Sequence, residues 1–201
     1  MKKSEVEALF DKAAELHKLV KLSGMTYLPL HSEVAFAIKQ WQSNPSQFWS
    51  RTAIRCLCAA IEATLFNFRR MAEKMAVVSN VQFDSSEVEI LSEIQIKNGI
   101  QRRRFLSPPD AIKESFRLFA KAFGATVLID YEAGFSALCA IFEIRNRLMH
   151  PKKPFDIEVS AKDIETAEKG IAWFNKAYTG VIDQCQAHIA QNVANLSKPK
   201  S

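Results

Sequence analysis

The side chains best suited to chemistry stand together in one stretch, Phe142-Glu143-Ile144-Arg145-Asn146-Arg147-Leu148-Met149-His150-Pro151-Lys152. An arginine fork can hold two phosphate oxygens at once, and an imidazole takes and gives a proton near neutral pH. Arginine, asparagine and histidine together therefore suit binding a phosphate and moving a proton. Other candidates are poorer. His17 and His188 lie in amphipathic patterns with no cysteine or acidic neighbour at metal spacing, and His31 reads as a loop residue. Trp41, Trp49 and Trp173 read as core or interface residues. A phosphate-cradling P-loop, a dinucleotide fingerprint and a serine or cysteine nucleophile motif are absent.

Spacing decides which of these groups can act together. Residues five apart on a helix lie about 140° apart, so Arg145 and His150 cannot share a face of an unbroken helix. Asn146 and His150 are four apart and can, and Glu143 lies on that same face. Pro151 disfavours helical geometry at His150. The helix should end there, with His150 turned outward and Asn146 near enough to orient its ring. Arg145 falls on the opposite side, among Leu138, Ile141, Leu148 and Met149, where a charge needs a partner. Glu62 has the complementary problem, because its neighbours at three and four residues are Cys58, Ala59, Leu65 and Phe66. Either Glu62 faces solvent, or it meets Arg145, which would then orient the site rather than touch phosphate.

The elements that must position these residues are helical. Residues 4–22 repeat Val6, Leu9, Phe10, Ala13, Leu16, Leu19 and Val20 at helical spacing, and residues 32–42 form a second pattern with Ser32 as its cap. Ser46 caps the longest pattern, which runs to about Val78 with Ile54, Leu57, Cys58, Ile61, Leu65, Phe68, Ala72 and Met75 as its stripe. A short helix follows over 84–92. Residues 94–102 alternate around Asn98-Gly99, a hairpin signal, so a small β-hairpin or loop excursion is expected around residues 94–104. Ser107-Pro108 starts another helix, with Ile112, Phe116, Phe119 and Phe123 inward and Gly124 as its stop. The motif helix is expected over 131–149, and Ser160 with Asp163 caps the last one.

Arg-Asn-x-x-x-His-Pro-Lys at the end of a late helix resembles the signature of the HEPN superfamily, small all-helical domains marked by an arginine and a histidine four to six residues on. The looser likeness is the order of a long early helix, a shorter helical pattern, the motif helix and a final helix. The resemblance implies an all-α, HEPN-like helical bundle. It covers residues 1–196 as a single domain, with 1–43 as an N-terminal helical extension packed on it and 197–201 as a disordered tail. It also implies a metal-independent endoribonuclease acting as a homodimer, in a toxin-antitoxin or antiviral defence setting with an antitoxin or other protein partner. Other members of the superfamily are non-catalytic, so a dimer serving as a protein- or nucleotide-binding module is the alternative.

RNA cleavage by its own 2′-hydroxyl needs a base, an acid and positive charge on the phosphorane. One His150 per chain is short of two proton carriers, and a two-fold dimer supplies the second. On this reading Arg145, Asn146 and His150 are catalytic. Arg147, Lys152 and Lys153 attract the RNA backbone, and Glu62 and Glu143 support the site from behind. No carboxylate cluster suited to Mg²⁺ accompanies the motif, so neither a metal nor another cofactor is expected.

Composition bounds the rest. The 201 residues are 48% hydrophobic, enough for a real core, and 6 Gly argue against a turn-rich all-β fold. A net charge of +5 favours an anionic partner. Its distribution shows basic clusters at Lys97 with Arg102–Arg104 and at Arg145, Arg147, Lys152 and Lys153, and an acidic one at Asp84, Glu87, Glu89 and Glu93. The longest largely apolar run, Phe135 to Phe142, cannot span a bilayer. With no apolar leader and 4 Cys at no zinc spacing, a cytoplasmic protein with reduced thiols and no membrane contact is expected.

Overall fold

The computed structural model describes Ala14, residues 29–132 and residues 134–196. The fold is all-α with one small antiparallel hairpin. Its elements are α1 (residues 29–43), α2 (Gln47–Ser79), α3 (Ser85–Ser92), β1 (Ile94–Lys97), β2 (Ile100–Arg103), α4 (Pro108–Ala122), α5 (Phe135–Met149), a 3₁₀ turn (Pro154–Ile157) and α6 (Ala161–Leu196). Apart from Ala14, the helix expected over residues 4–22 lies outside the described residues, as does the expected tail at 197–201.

Local chemistry explains the element ends. The Ser46 hydroxyl accepts from the Trp49 amide at 3.3 Å and opens α2. Asp84 and Glu87 bond each other's amides reciprocally and cap α3. The Ser160 hydroxyl accepts from the Asp163 amide while the Asp163 carboxylate accepts from the Ser160 amide. The hairpin pairs Lys97 with Ile100 and turns through Asn98 (φ 54°) and Gly99 (φ 72°), left-handed positions that a two-residue turn requires. Two expectations need correcting. Ser32 and His31 lie inside α1, whose helical geometry already includes Pro29, so neither is a cap or a loop residue. The motif helix begins at Phe135 rather than 131, because Gly134 takes a left-handed φ of 89° at its cap. The Trp173 indole N–H also holds the Asp130 carbonyl at 2.7 Å in the segment before it.

The chain divides into two compact units. One contains Leu65–Leu128 and, among the described residues, 179–196; its core is Phe68, Ala72, Met75, Ile112, Phe116, Leu118 and Val181. The Phe68 ring meets Phe116 edge-on at 5.4 Å and Phe119 at 4.3 Å. The other contains residues 29–64 and Ile129–Tyr178, with Ile54, Cys58, Ile61, Leu138, Ile141, Phe142, Leu148 and Phe174 buried. In this second unit α5 lies against α6 at Gly170. A Cβ there would stand 2.6 Å from Ile141 Cδ1 and 2.8 Å from the Leu138 backbone, closer than any side chain permits, so glycine sets how near the motif helix comes. Among the described residues no helix is long and apolar enough to cross a membrane.

Candidate functional site

The motif occupies the last two turns of α5. Leu138, Ile141, Phe142, Ile144 and Leu148 are buried and fix the helix's rotation. That rotation leaves Glu143, Asn146 and His150 exposed. His150 is the C-terminal cap, with φ −132° and ψ 60°, and its amide donates to the Asn146 carbonyl at 2.9 Å. Pro151 has turned the residue out of the helix, as its steric demand requires. Among the described residues no side-chain hydrogen bond joins Asn146 to His150, and the imidazole stands open.

Arg145 points the other way and pairs with Glu62 of α2. Its guanidinium also lies 5.9 Å from the centre of the Phe142 ring. Leu138, Ile141 and Leu148 are buried around this side of α5, but Met149, expected with them, is 50% exposed because it is the last helical residue. The pair is itself open to water, with side-chain exposures of 27% for Arg145 and 54% for Glu62. Cys58 lies behind it and donates to the Ile141 carbonyl at 3.8 Å. Burial, with Glu62 adding to it, pushes the Cys58 thiol up to about 12 against the pull of Arg145. The thiol stays protonated and is not a nucleophile.

Arg147 spends its donors on the segment that follows the motif. Its Nη1 donates to the carbonyls of Asp156 at 2.9 Å and Glu158 at 2.7 Å, and its Nη2 to the Asp163 carboxylate at 3.0 Å. The Asp156 carboxylate in turn accepts from the amides of Lys152 at 2.8 Å and Lys153 at 2.9 Å, leaving both lysine side chains exposed. Arg51 and Arg55, one turn apart on α2, complete the surroundings. Arg51 donates to the Ile157 carbonyl and Arg55 to the Leu148 carbonyl, each at 3.2 Å. The Leu148 carbonyl belongs to the last turn of α5, where carbonyls lack helical partners and a cation is favoured.

Sequence reasoning missed Arg51 and Arg55. The available signal was their spacing, since Arg51, Arg55 and Glu62 fall at i, i+4 and i+11 on one face of α2. The two basic clusters also fare differently. Arg103 and Arg104 bond Glu93 at 3.3 Å and Glu89 at 2.5 Å, so the acidic cluster neutralises much of the first basic one. Among the described residues no group of three His, Cys, Asp or Glu side chains could hold a metal ion. An apolar cleft of about 420 Å³, lined in part by Trp41, Ile54, Ile61, Ile171 and Phe174, lies in the same unit, and none of Arg145, Asn146 and His150 lines it.

No family model, curated protein or solved structure matches the chain.

Proposed function

We propose that the protein is a metal-independent endoribonuclease of the HEPN type, acting as a homodimer with a composite Arg/His site. The observation that carries the reading is His150, an unencumbered imidazole at an exposed helix end, one helical turn from Asn146 and followed by two exposed lysines. Arg51 and Arg55 bond carbonyl oxygens, which leaves their charge uncancelled, and the Lys152 and Lys153 side chains are exposed. In the dimer, the imidazole of one protomer removes the 2′-hydroxyl proton of the RNA. The same histidine of the second protomer protonates the departing 5′-oxygen, giving a 2′,3′-cyclic phosphate and a free 5′-hydroxyl. Arg145 stabilises the phosphorane directly or positions α5 through Glu62. A half-exposed ion pair contributes at most about 1 kcal/mol, so a phosphate can displace the Glu62 carboxylate. Lys152 and Lys153 draw the RNA backbone in, and Glu143 and Asn146 line the open face of the helix. A toxin-antitoxin or antiviral role, with a protein partner that restrains the activity, belongs to the same proposal, as does a cytoplasmic location.

A second reading, a non-catalytic dimer that binds a protein or nucleotide, has one observation in its favour: the guanidinium groups of Arg145 and Arg147 are both engaged within the chain. Product chemistry separates the two. Incubated in EDTA with single-stranded RNA, the nuclease leaves 2′,3′-cyclic phosphate ends and spares the 2′-O-methyl version of the same strand. Cleavage of both strands, or of neither, would remove the reading.

A further inference from the structure

The segment after the motif is built more firmly than a surface loop needs to be. The carbonyls of Asp156, Ile157, Glu158 and Val159 are four in a row, and each accepts from a side chain: Arg147, Arg51, Arg147 again and Gln47. Gln47 also accepts from the Val159 amide at 2.7 Å, and the Asp156 carboxylate holds the amides of Lys152 and Lys153. This framework holds apolar side chains out in water. Phe155 is 58% exposed, and Ile157 beside it is 42% exposed. Lys153 Nζ lies 5.5 Å from the centre of the Phe155 ring. An exposed aromatic ring on a floppy loop is unremarkable, but one fixed by a bonded backbone and backed by a cation is a surface prepared for a planar partner. Five residues separate it from His150, so the two Cα atoms lie at most about 18 Å apart. Asp163 is paired with Arg147, while Asp156, held by neutral amides, and the exposed Glu158 keep their charge. Arg51, Arg55, Lys152 and Lys153 outnumber these two carboxylates, so the local charge is net positive.

We propose that Phe155 is a stacking platform for a base of single-stranded RNA, with Lys153 and Lys152 on the adjoining phosphates, so that the strand is presented to His150 unpaired. The inference rests on the ribonuclease reading for the identity of the polymer. The chemistry is that of single-strand binders generally, a cationic track interleaved with rings on which any base can stack. A paired strand hides its base faces, so a duplex is a poor ligand for such a surface.

The test is binding of a fluorescein-labelled single-stranded RNA of mixed sequence, in EDTA, to the full-length His150→Ala protein. Adding Phe155→Ala should weaken binding about tenfold with the slope against salt unchanged, because no charge is lost. Adding Lys153→Ala should reduce that slope by about 0.7. Phe155→Trp should restore affinity, and its added indole emission should be quenched by the RNA, a signature that a merely structural role would not give. Equal binding by Phe155→Ala, no quenching in Phe155→Trp, or no RNA binding at all would overturn the inference. So would Phe155→Ala converting a dimer to a monomer, which would make the ring a contact between copies. His150-dependent cleavage by the wild type that ignores Phe155 would sink this inference and leave the nuclease standing. Phe155-dependent binding without any wild-type cleavage would do the reverse.

Discussion

The two units use arginine differently. In the unit containing Leu65–Leu128, every described arginine except Arg102 pairs with a carboxylate: Arg69 and Arg103 with Glu93, Arg70 with Glu73, Arg104 with Glu89, and Arg117 with Glu87 and Glu114. In the motif-bearing unit, Arg145 pairs with Glu62 and Arg147 bonds two carbonyls besides Asp163, but Arg51 and Arg55 bond carbonyl oxygens alone. A carboxylate cancels the cation's field at a distance, whereas a carbonyl fixes the side chain and leaves the charge. The first basic cluster of the sequence holds secondary structure together, whereas in the motif-bearing unit Arg51, Arg55, Lys152 and Lys153 form no ion pair among the described residues.

Substitutions sharpen this contrast. The largest effect should come from Arg69, which is buried and bonds Ser115 and Glu93, each at 2.7 Å. Arg69→Ala should cost about 3 kcal/mol in urea unfolding, and a loss below about 1 kcal/mol would show the network to be incidental. Arg147→Ala should come next, at about 2 kcal/mol, with amide exchange accelerated over residues 152–159 and little change elsewhere. Uniform acceleration would mean that Arg147 does not act through this segment.

Glu87 gives a pH-dependent version of the same comparison. Its side chain is 4% exposed between Arg117 and Lys121. Burial alone would raise its carboxyl, but the bonds from Lys121, Arg117 and the Asp84 amide hold it below its ordinary 4.5. A group lowered on folding stabilises the fold above its unfolded value, and that contribution fades as pH falls through the folded one. The stability gap between the wild type and Glu87→Gln should thus be full at pH 7 and shrink on acidification below about 4.5. A gap that does not change with pH would show that the charge is not what matters. The smallest effect should be the coupling between Glu62 and Arg145, below about 1 kcal/mol in a double-mutant cycle. A much larger coupling would make the pair a structural lock that no phosphate opens.

Much of the fold was legible because helical periodicity, caps and an Asn-Gly turn are local signals. The stripe of α2, the Ser160–Asp163 cap and the hairpin all follow from residues within a few positions of one another. The Glu62–Arg145 contact was also readable, since each residue was a charge placed on an apolar margin with no neighbour of its own helix to meet it. The start of α5 was not readable. Apolar spacing continues through residues 131–134, and only the left-handed φ of Gly134 ends it. The role of Arg147 was hidden for a different reason. Its partners are backbone carbonyls 9 and 11 residues away, and every residue type offers a carbonyl, so the sequence cannot mark the acceptor. Phe155 was missed because nothing in Lys153-Pro154-Phe155 marks whether the ring faces inward or outward.

The central claim is that proton transfer at His150 cleaves RNA, and the most direct measurement is cleavage of a mixed single-stranded RNA in EDTA by the wild type and by His150→Ala at matched concentration. Because His150 is exposed and its imidazole bonds nothing among the described residues, the variant should fold as the wild type does, so a difference in rate reports chemistry. The account predicts cleavage by the wild type and a loss of at least about a hundredfold in the variant. Equal rates in the two proteins would contradict it.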